Sequence, residues 1–167
     1  LERHMINFVG RDAMDIKGFG ATYIMELVHL GYLKDIADIY DLKQHREELI
    51  EQGIIGKEKN TDKLLDAIEK SKQNEAFQLL TGFGIPNVGK AAAKTILKHF
   101  GSIEALMQAD MESLQQVADV GEVTALCIRN YFQDENNCKI IERLKEAGVN
   151  MEMAESGSED GRFDGLT

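Results

Sequence analysis

A short glycine-containing turn between two apolar segments recurs along this chain, and it constrains the fold more than any other feature. The turns are centred near Gly20, Gly56 or Lys57, Gly89 and Gly121, at intervals of 32 to 37 residues. Spacing of this kind is typical of an array of similar supersecondary units. Tetratricopeptide and ankyrin arrays have similar periods, but their signature residues are missing, and here the glycines lie inside the turn. The pattern predicts a repeated helix-hairpin-helix unit.

The best-defined unit covers residues 79–101, LLTGFGIPNVGKAAAKTILKHFG. An apolar helix end leads into a turn that contains Gly84, Pro86 and Gly89, and a helix rich in small residues begins at Lys90. Glycine at 84 and 89 permits a positive φ and the close approach of another backbone. The first amides of the following helix have no intrahelical acceptor, so we expect them to attract an anion, most often a phosphate.

The charge around this unit differs from that of the whole chain. The chain has 29 acidic and 19 basic residues and a net charge of −10, which argues against a broadly basic nucleic-acid surface. Residues 76–103 nevertheless contain no Asp or Glu, and Lys90, Lys94 and Lys98 recur on one side of the predicted helix. Any nucleic-acid binding would therefore use main-chain groups and small basic patches. A solvated lysine face after an ordinary loop is the alternative interpretation.

Composition favours an all-α fold, because the chain has a single Pro, no Trp and many strong helix formers. We expect four tandem helix-hairpin-helix motifs in one compact domain over residues 1–150. The acidic, Gly- and Ser-rich residues 151–167 predict a disordered tail. The four motifs are predicted near residues 14–31, 49–70, 79–100 and 114–132.

No apolar run approaches the roughly 20 residues that span a bilayer, and the N-terminus lacks the order of a secretory signal. We expect a cytoplasmic monomer that does not bind membranes. Cys127 and Cys138 lack a CxxC spacing and the four histidines are scattered, so we expect free thiols and no metal site.

Three runs of sequence resemble one known family. They are RDAMDI-x-G-x-G at 11–20, the GI-x-x-VGKA-like run at 84–91 and HFGS-x-x-AL at 99–106. Together they resemble the helix-hairpin-helix domain of bacterial NAD-dependent DNA ligases, over about residues 1–150. The resemblance implies a parent enzyme of DNA replication and repair that joins a 3′-hydroxyl to a 5′-phosphate at a nick. NAD would supply the adenylate, with magnesium as the divalent ion.

By the same resemblance, this chain is a non-catalytic piece of that enzyme and holds no cofactor or metal of its own. A zinc finger that carries the family's zinc ends just before the segment matching Leu1. The closing residues FDGLT resemble the start of a BRCT domain, so residues 151–167 would form a flexible acidic linker. The implied partners are nicked duplex DNA and the adenylation, OB, zinc-finger and BRCT domains of the same ligase.

The resemblance also implies that hairpin amides lie against minor-groove phosphates, contacts that position a protein without reading base sequence. The sequence departs from the family's hairpin pattern in two places. Lys57 stands at the second glycine position of the second hairpin, and the acidic residues Asp119 and Glu122 lie beside the fourth hairpin. The implied phosphate-binding residues are Gly18, Phe19, Gly20, Thr22, Asn87, Val88, Gly89, Lys90, Lys94, Val120, Gly121 and Thr124.

Two alternatives remain open at this point. One is a structural or protein-binding helical bundle, which the acidic balance favours. The other is a different helix-hairpin-helix DNA repair protein, such as a glycosylase. Those enzymes carry a Gly-Pro-Asp segment after the hairpin, whereas the only proline here, Pro86, lies within it.

Overall fold

The apolar segments between the glycine turns form helices in the computed structural model, which describes residues 2–153. Over this range the chain has no strand, only an isolated antiparallel bridge between Ser102 and Glu152. The prediction of an all-α fold is confirmed. The helices are α1 Glu2–Val9, α2 Ala21–His29, a 3₁₀ helix Ile36–His45, α3 Arg46–Gln52, α4 Glu58–Ser71, α5 Ala76–Phe83, α6 Lys90–Phe100, α7 Ile103–Met107, α8 Met111–Gln115, α9 Glu122–Gln133 and α10 Glu135–Glu146.

Four helix pairs flank the four predicted turns, which confirms the four helix-hairpin-helix units. In each unit the two helices pack on each other: α1 on α2, α3 on α4, α5 on α6 and α8 on α9. One apolar core runs through all of them. In α6, for example, Ala93, Ile96 and Leu97 are buried, as their helical spacing predicts. None of the helices described is both long enough and apolar enough to cross a membrane.

The third and fourth units are joined by aromatic side chains. Phe83, at the end of α5, is buried and stacks on Tyr131 of α9 with ring centroids 5.4 Å apart, and it meets Phe132 edge-on at 6.4 Å. The Asn87 side-chain amide also lies 3.8 Å from Cys127 Sγ. The third hairpin is therefore held directly against the helix of the fourth.

Similar contacts join the first two units and link the halves of the domain. The Tyr23 hydroxyl of α2 donates to the carbonyl of Ile55 in the second hairpin, at 3.4 Å. Helix α1 packs on α5, where His4 Nε2 donates to the Gly82 carbonyl at 3.2 Å. The four hairpins are thus built into one packed body over the described residues.

An ion cluster joins the C-terminal helix to the 3₁₀ helix. The Arg143 guanidinium of α10 lies 3.0 Å from Asp35, 2.7 Å from Asp38 and 2.8 Å from Asp41. Asp35 also caps the 3₁₀ helix by accepting from the amides of Ala37 and Asp38. One arginine therefore offsets part of the repulsion among three carboxylates.

The predicted boundary of the domain at residue 150 is wrong by at least three residues. Met151 is buried and Met153 packs partly buried against the core. The backbone of this segment is paired as well: the Ile103 amide donates to the Met151 carbonyl at 2.8 Å, and the Met153 amide donates to Gly101 at 2.9 Å. Met151, Glu152 and Met153 alternate between apolar and polar residues, a pattern that suits an extended segment with one buried face. The negative charge of residues 151–167 as a whole makes this pattern hard to recognise in the sequence. The remainder of the predicted disordered tail, residues 154–167, lies outside the described residues.

Candidate nucleic-acid interface

Three of the four hairpins contain the same hydrogen-bonded turn. In each, an amide donates to the carbonyl three residues earlier, and both apolar residues of the turn are buried. The bonds are Phe19 to Ile16 at 3.3 Å, Val88 to Ile85 at 3.0 Å and Val120 to Val117 at 3.1 Å. The buried pair anchors each turn to the core, so the residues that follow it are presented at the surface.

The residue just before the buried turn residue has a positive φ in all three hairpins. The values are 79° at Gly18, 68° at Asn87 and 68° at Asp119. A turn of the type II kind requires a positive φ at its third position, where Gly is favoured and Asn is accepted; Asp, like Asn, is among the non-glycine residues that adopt it most readily. Asp119, whose charge is unfavourable to an anion, therefore also has a conformational role. The sequence indicates this role through spacing, because Asp119 precedes Gly121 by two residues, as Gly18 precedes Gly20.

The second glycine of each turn has a different role from the one predicted. Gly89 does not have a positive φ; its φ is −94°, and those of Gly20 and Gly121 are −84° and −94°. Any residue can adopt this extended conformation. A Cβ added at any of the three would meet nothing within 4 Å among the described residues. Neither backbone conformation nor internal packing requires glycine here, so these positions leave room for a group from outside.

These glycines are the N-cap residues of α2, α6 and α9, and none of the three helices has a side-chain cap. Four helices that do not follow a hairpin are capped differently. The 3₁₀ helix, α7, α8 and α10 have Asp35, Ser102, Asp110 and Asp134 as N-caps, each accepting from an amide of the first turn. Within residues 2–153, α2, α6 and α9 thus keep their first amides without an acceptor, in the position where an anion binds.

Three of the predicted phosphate-binding residues serve the turn instead. Phe19, Val88 and Val120 have buried side chains and donate their amides within the turn. Among the described residues, the glycine that follows each of them and the next few residues have amides left without an acceptor. Thr22 is exposed at the second position of α2, and Thr124 is half-buried at the third position of α9.

The three lysines of α6 are all exposed, but they are not equivalent. Lys90 lies at the first position of the helix, and neither it nor Lys98 has an ion-pair partner among the described residues. The Lys94 ammonium lies 5.5 Å from the centre of the Phe77 ring on α5, so its stem packs back on the preceding helix. At the position that matches Lys90, α9 has Glu122. Charge therefore favours an anion at the third hairpin over the fourth.

The second hairpin departs from the other three. Lys57 is the N-cap of α4, again without a side-chain cap, and the positive φ falls at Gly56, one residue later in the turn than in the other hairpins. Within residues 2–153 no group of three or more His, Cys, Asp or Glu side chains could hold a metal ion. Cys127 and Cys138 are free thiols.

Comparisons with known proteins agree with this geometry. A family profile described as "Helix-hairpin-helix motif" matches residues 78–141, the third and fourth units. The chain is 47% identical over 143 residues to a DNA ligase of Clostridium kluyveri, a match that covers 86% of this chain and 22% of that protein. It is 46% identical over 165 residues to a DNA ligase of Desulforamulus reducens, covering 98% and 24%. A DNA ligase of Acetivibrio thermocellus is 39% identical over 168 residues, covering 100% and 25%. The chain spans about a quarter of the length of these curated relatives.

Proposed function

Since the chain belongs with the helix-hairpin-helix region of bacterial DNA ligases, we propose that it binds duplex DNA through its hairpins, without base preference. The observation that carries this proposal is the contrast in helix caps. The 3₁₀ helix, α7, α8 and α10 satisfy first-turn amides with an Asp or Ser N-cap, whereas α2, α6 and α9 begin at a glycine and have no side-chain cap. A phosphate oxygen is the acceptor that such a helix start binds best.

By the resemblance to the ligase family, we place the proposed contacts on phosphates of the minor groove. A bare glycine would let the two backbones approach closely there. The third hairpin would contribute most, since Lys90 adds a cation beside the free amides. Contacts to phosphates fix the position of a protein on the duplex and carry no sequence information. This chain would therefore hold DNA while other parts of the protein perform the chemistry.

For the whole protein we propose the sealing of nicks, with NAD as the adenylate donor and magnesium as the divalent ion. The relatives' names support ligase activity, and the runs at 11–20, 84–91 and 99–106 support NAD dependence by resemblance. A zinc finger, an adenylation domain, an OB domain and a BRCT domain would be the partners of this piece within the same chain. We propose that it acts as a monomer in the cytoplasm and that it contains no catalytic residue.

One observation favours a second candidate, a purely structural or protein-binding bundle. The net charge of −10 opposes DNA binding at long range, and many of the basic residues are already paired with carboxylates. In that case the free amides of α2, α6 and α9 would simply be hydrated.

Salt dependence separates the two candidates. If the chain neutralises three or four phosphates, the logarithm of its affinity for nicked duplex should fall against the logarithm of salt concentration with a slope of about −3. Fluorescence anisotropy at several salt concentrations measures this slope, and duplexes of different sequence should bind within about tenfold of one another. A structural bundle would show no saturable binding at any salt concentration.

A further inference from the structure

A groove of about 570 Å³ lies between the first hairpin and helix α4 of the second unit. Lys17, Gly18 and Tyr23 line one side, and Asn60, Lys63 and Lys70 line the other. Gly18 is the positive-φ residue of the first hairpin. The groove therefore opens directly beside one of the proposed phosphate sites.

Two of the three lysines in this groove are already paired. Lys17 Nζ lies 3.7 Å from Asp15, and Lys70 Nζ lies 3.2 Å from Asp66. Both carboxylates also line the groove. Lys63 has no carboxylate within ion-pair distance among the described residues, so the uncompensated positive charge of the groove is concentrated on its ammonium.

The first hairpin has no cation on its own helix. Helix α2, ATYIMELVH, contains no Lys or Arg and one Glu, whereas the third hairpin has Lys90 at the start of its helix. The Tyr23 hydroxyl donates to the Ile55 carbonyl at 3.4 Å, which fixes α2 against the second hairpin and so places α4 across the groove. Exposed Asn60, one turn before Lys63, has a side-chain amide without a partner in the described part of the chain.

We infer that Lys63, with Asn60, binds a DNA backbone phosphate next to the one held by the first hairpin. The second unit, whose hairpin carries Lys57 in place of the N-cap glycine, would thus also serve the first by supplying side chains. The open groove, with one unpaired ammonium and one amide donor, suits a polyanionic strand that runs past it. This inference rests on the proposed function, since it concerns the same bound DNA.

The test compares Lys63→Gln with Lys139→Gln, which removes from α10 an exposed lysine that has no ion-pair partner among residues 2–153. Both variants of the full chain are titrated with nicked duplex at several salt concentrations, after melting curves confirm folding. Loss of one phosphate contact should lower affinity about three- to tenfold at low salt and make the salt slope shallower by about 0.9. Lys139→Gln should match the parent, and Lys63→Arg should retain both affinity and slope.

Gly20→Asp serves as the reference for the first hairpin itself. If Gly20→Asp weakens binding but Lys63→Gln behaves like Lys139→Gln, the inference about the groove is wrong and the proposed function stands. A fall in affinity at Lys63→Gln with an unchanged salt slope would also overturn the inference, because no phosphate charge would have been lost. If Gly20→Asp, Gly89→Asp and Lys63→Gln all bind like the parent, the proposed function itself fails.

Discussion

Replacing Gly89 with aspartate is expected to weaken binding to nicked duplex DNA by about 10- to 100-fold, while leaving the fold as stable or slightly more stable. The first part follows because the Asp carboxylate would occupy the free amides of α6 and repel the phosphate. One charge-assisted hydrogen bond is worth about 1.5–3 kcal/mol, which corresponds to this range of affinity. The second part follows because Asp is a better N-cap than Gly by a few tenths of a kcal/mol, and φ at Gly89 is −94°.

Ser102→Asp is the matched control for Gly89→Asp. Ser102 is the N-cap of α7 and already accepts from the Ala105 amide, so the change adds the same charge at a helix start that is not free. It lies just beyond the far end of α6, about 17 Å along a helix that rises 1.5 Å per residue, which is more than the screening length. We expect this variant to bind nearly as well as the parent. Gly121→Asp should have a smaller effect than Gly89→Asp, because Glu122 already opposes an anion there.

Replacing Arg143 with methionine is expected to lower the free energy of unfolding by about 2 kcal/mol at pH 7. The change removes hydrogen bonds to three carboxylates and leaves Asp35, Asp38 and Asp41 uncompensated. Breaking a fully buried ion pair costs about 3–5 kcal/mol, but the Arg143 side chain is 39% exposed, so solvent screens part of the loss. Urea denaturation measures the difference. In the Arg143→Met background, Asp38→Asn should recover part of it by removing one of the like charges.

The stability lost in Arg143→Met should depend on pH. Partial burial raises the pKa of Asp38, but hydrogen bonds from Arg143 and from the amides of Lys34 and Asp35 outweigh it, so the pKa lies below its ordinary value. A carboxyl whose pKa is lowered by folding stabilises the fold above its unfolded pKa, about 3.9, and loses that contribution as pH falls through the folded value. The stability gap between the parent and Arg143→Met should therefore shrink below about pH 4.

Lys145→Met provides the control on the same helix. Lys145 pairs at 3.0 Å with Glu104, but both side chains are at least half exposed, so its loss should leave the urea midpoint nearly unchanged. A gap between the parent and Arg143→Met that stays equal at pH 3 and pH 7 would show that Arg143 acts through the packing of its stem instead of its charge.

The repeated unit was predictable because its signals are local. Apolar residues at helical spacing, interrupted by paired small residues, define two helices and a turn without any tertiary knowledge. The backbone conformation of each turn residue was harder to predict from the sequence. A pair of glycines indicates that one residue of the turn has a positive φ, but it does not show which one. The match of Gly18 with Asn87 and Asp119 identifies the first position of the pair as the one with positive φ.

Features that depend on contacts between helices could not be predicted from local sequence patterns. Its spacing from Lys90 predicts phosphate contact for Lys94, yet the Lys94 ammonium lies over Phe77 of the preceding helix. The acidic composition of residues 151–167 predicts that Met151 belongs to the tail, although its side chain is buried in the core. The groove that contains Lys63 forms only where α4 meets the first hairpin, so the sequence of neither unit reveals it.

Titration of the backbone amide resonances with nicked duplex DNA tests the central claim most directly. If hairpin amides bind phosphates, the largest shifts should fall on Gly20, Gly89 and Gly121 and on the two or three amides after each. The amides of α7 and α8, whose N-caps are Ser102 and Asp110, should shift little. Shifts confined to the backbone amides of exposed lysines away from the hairpins, or spread evenly over the surface, would contradict the claim that free helix amides hold the DNA.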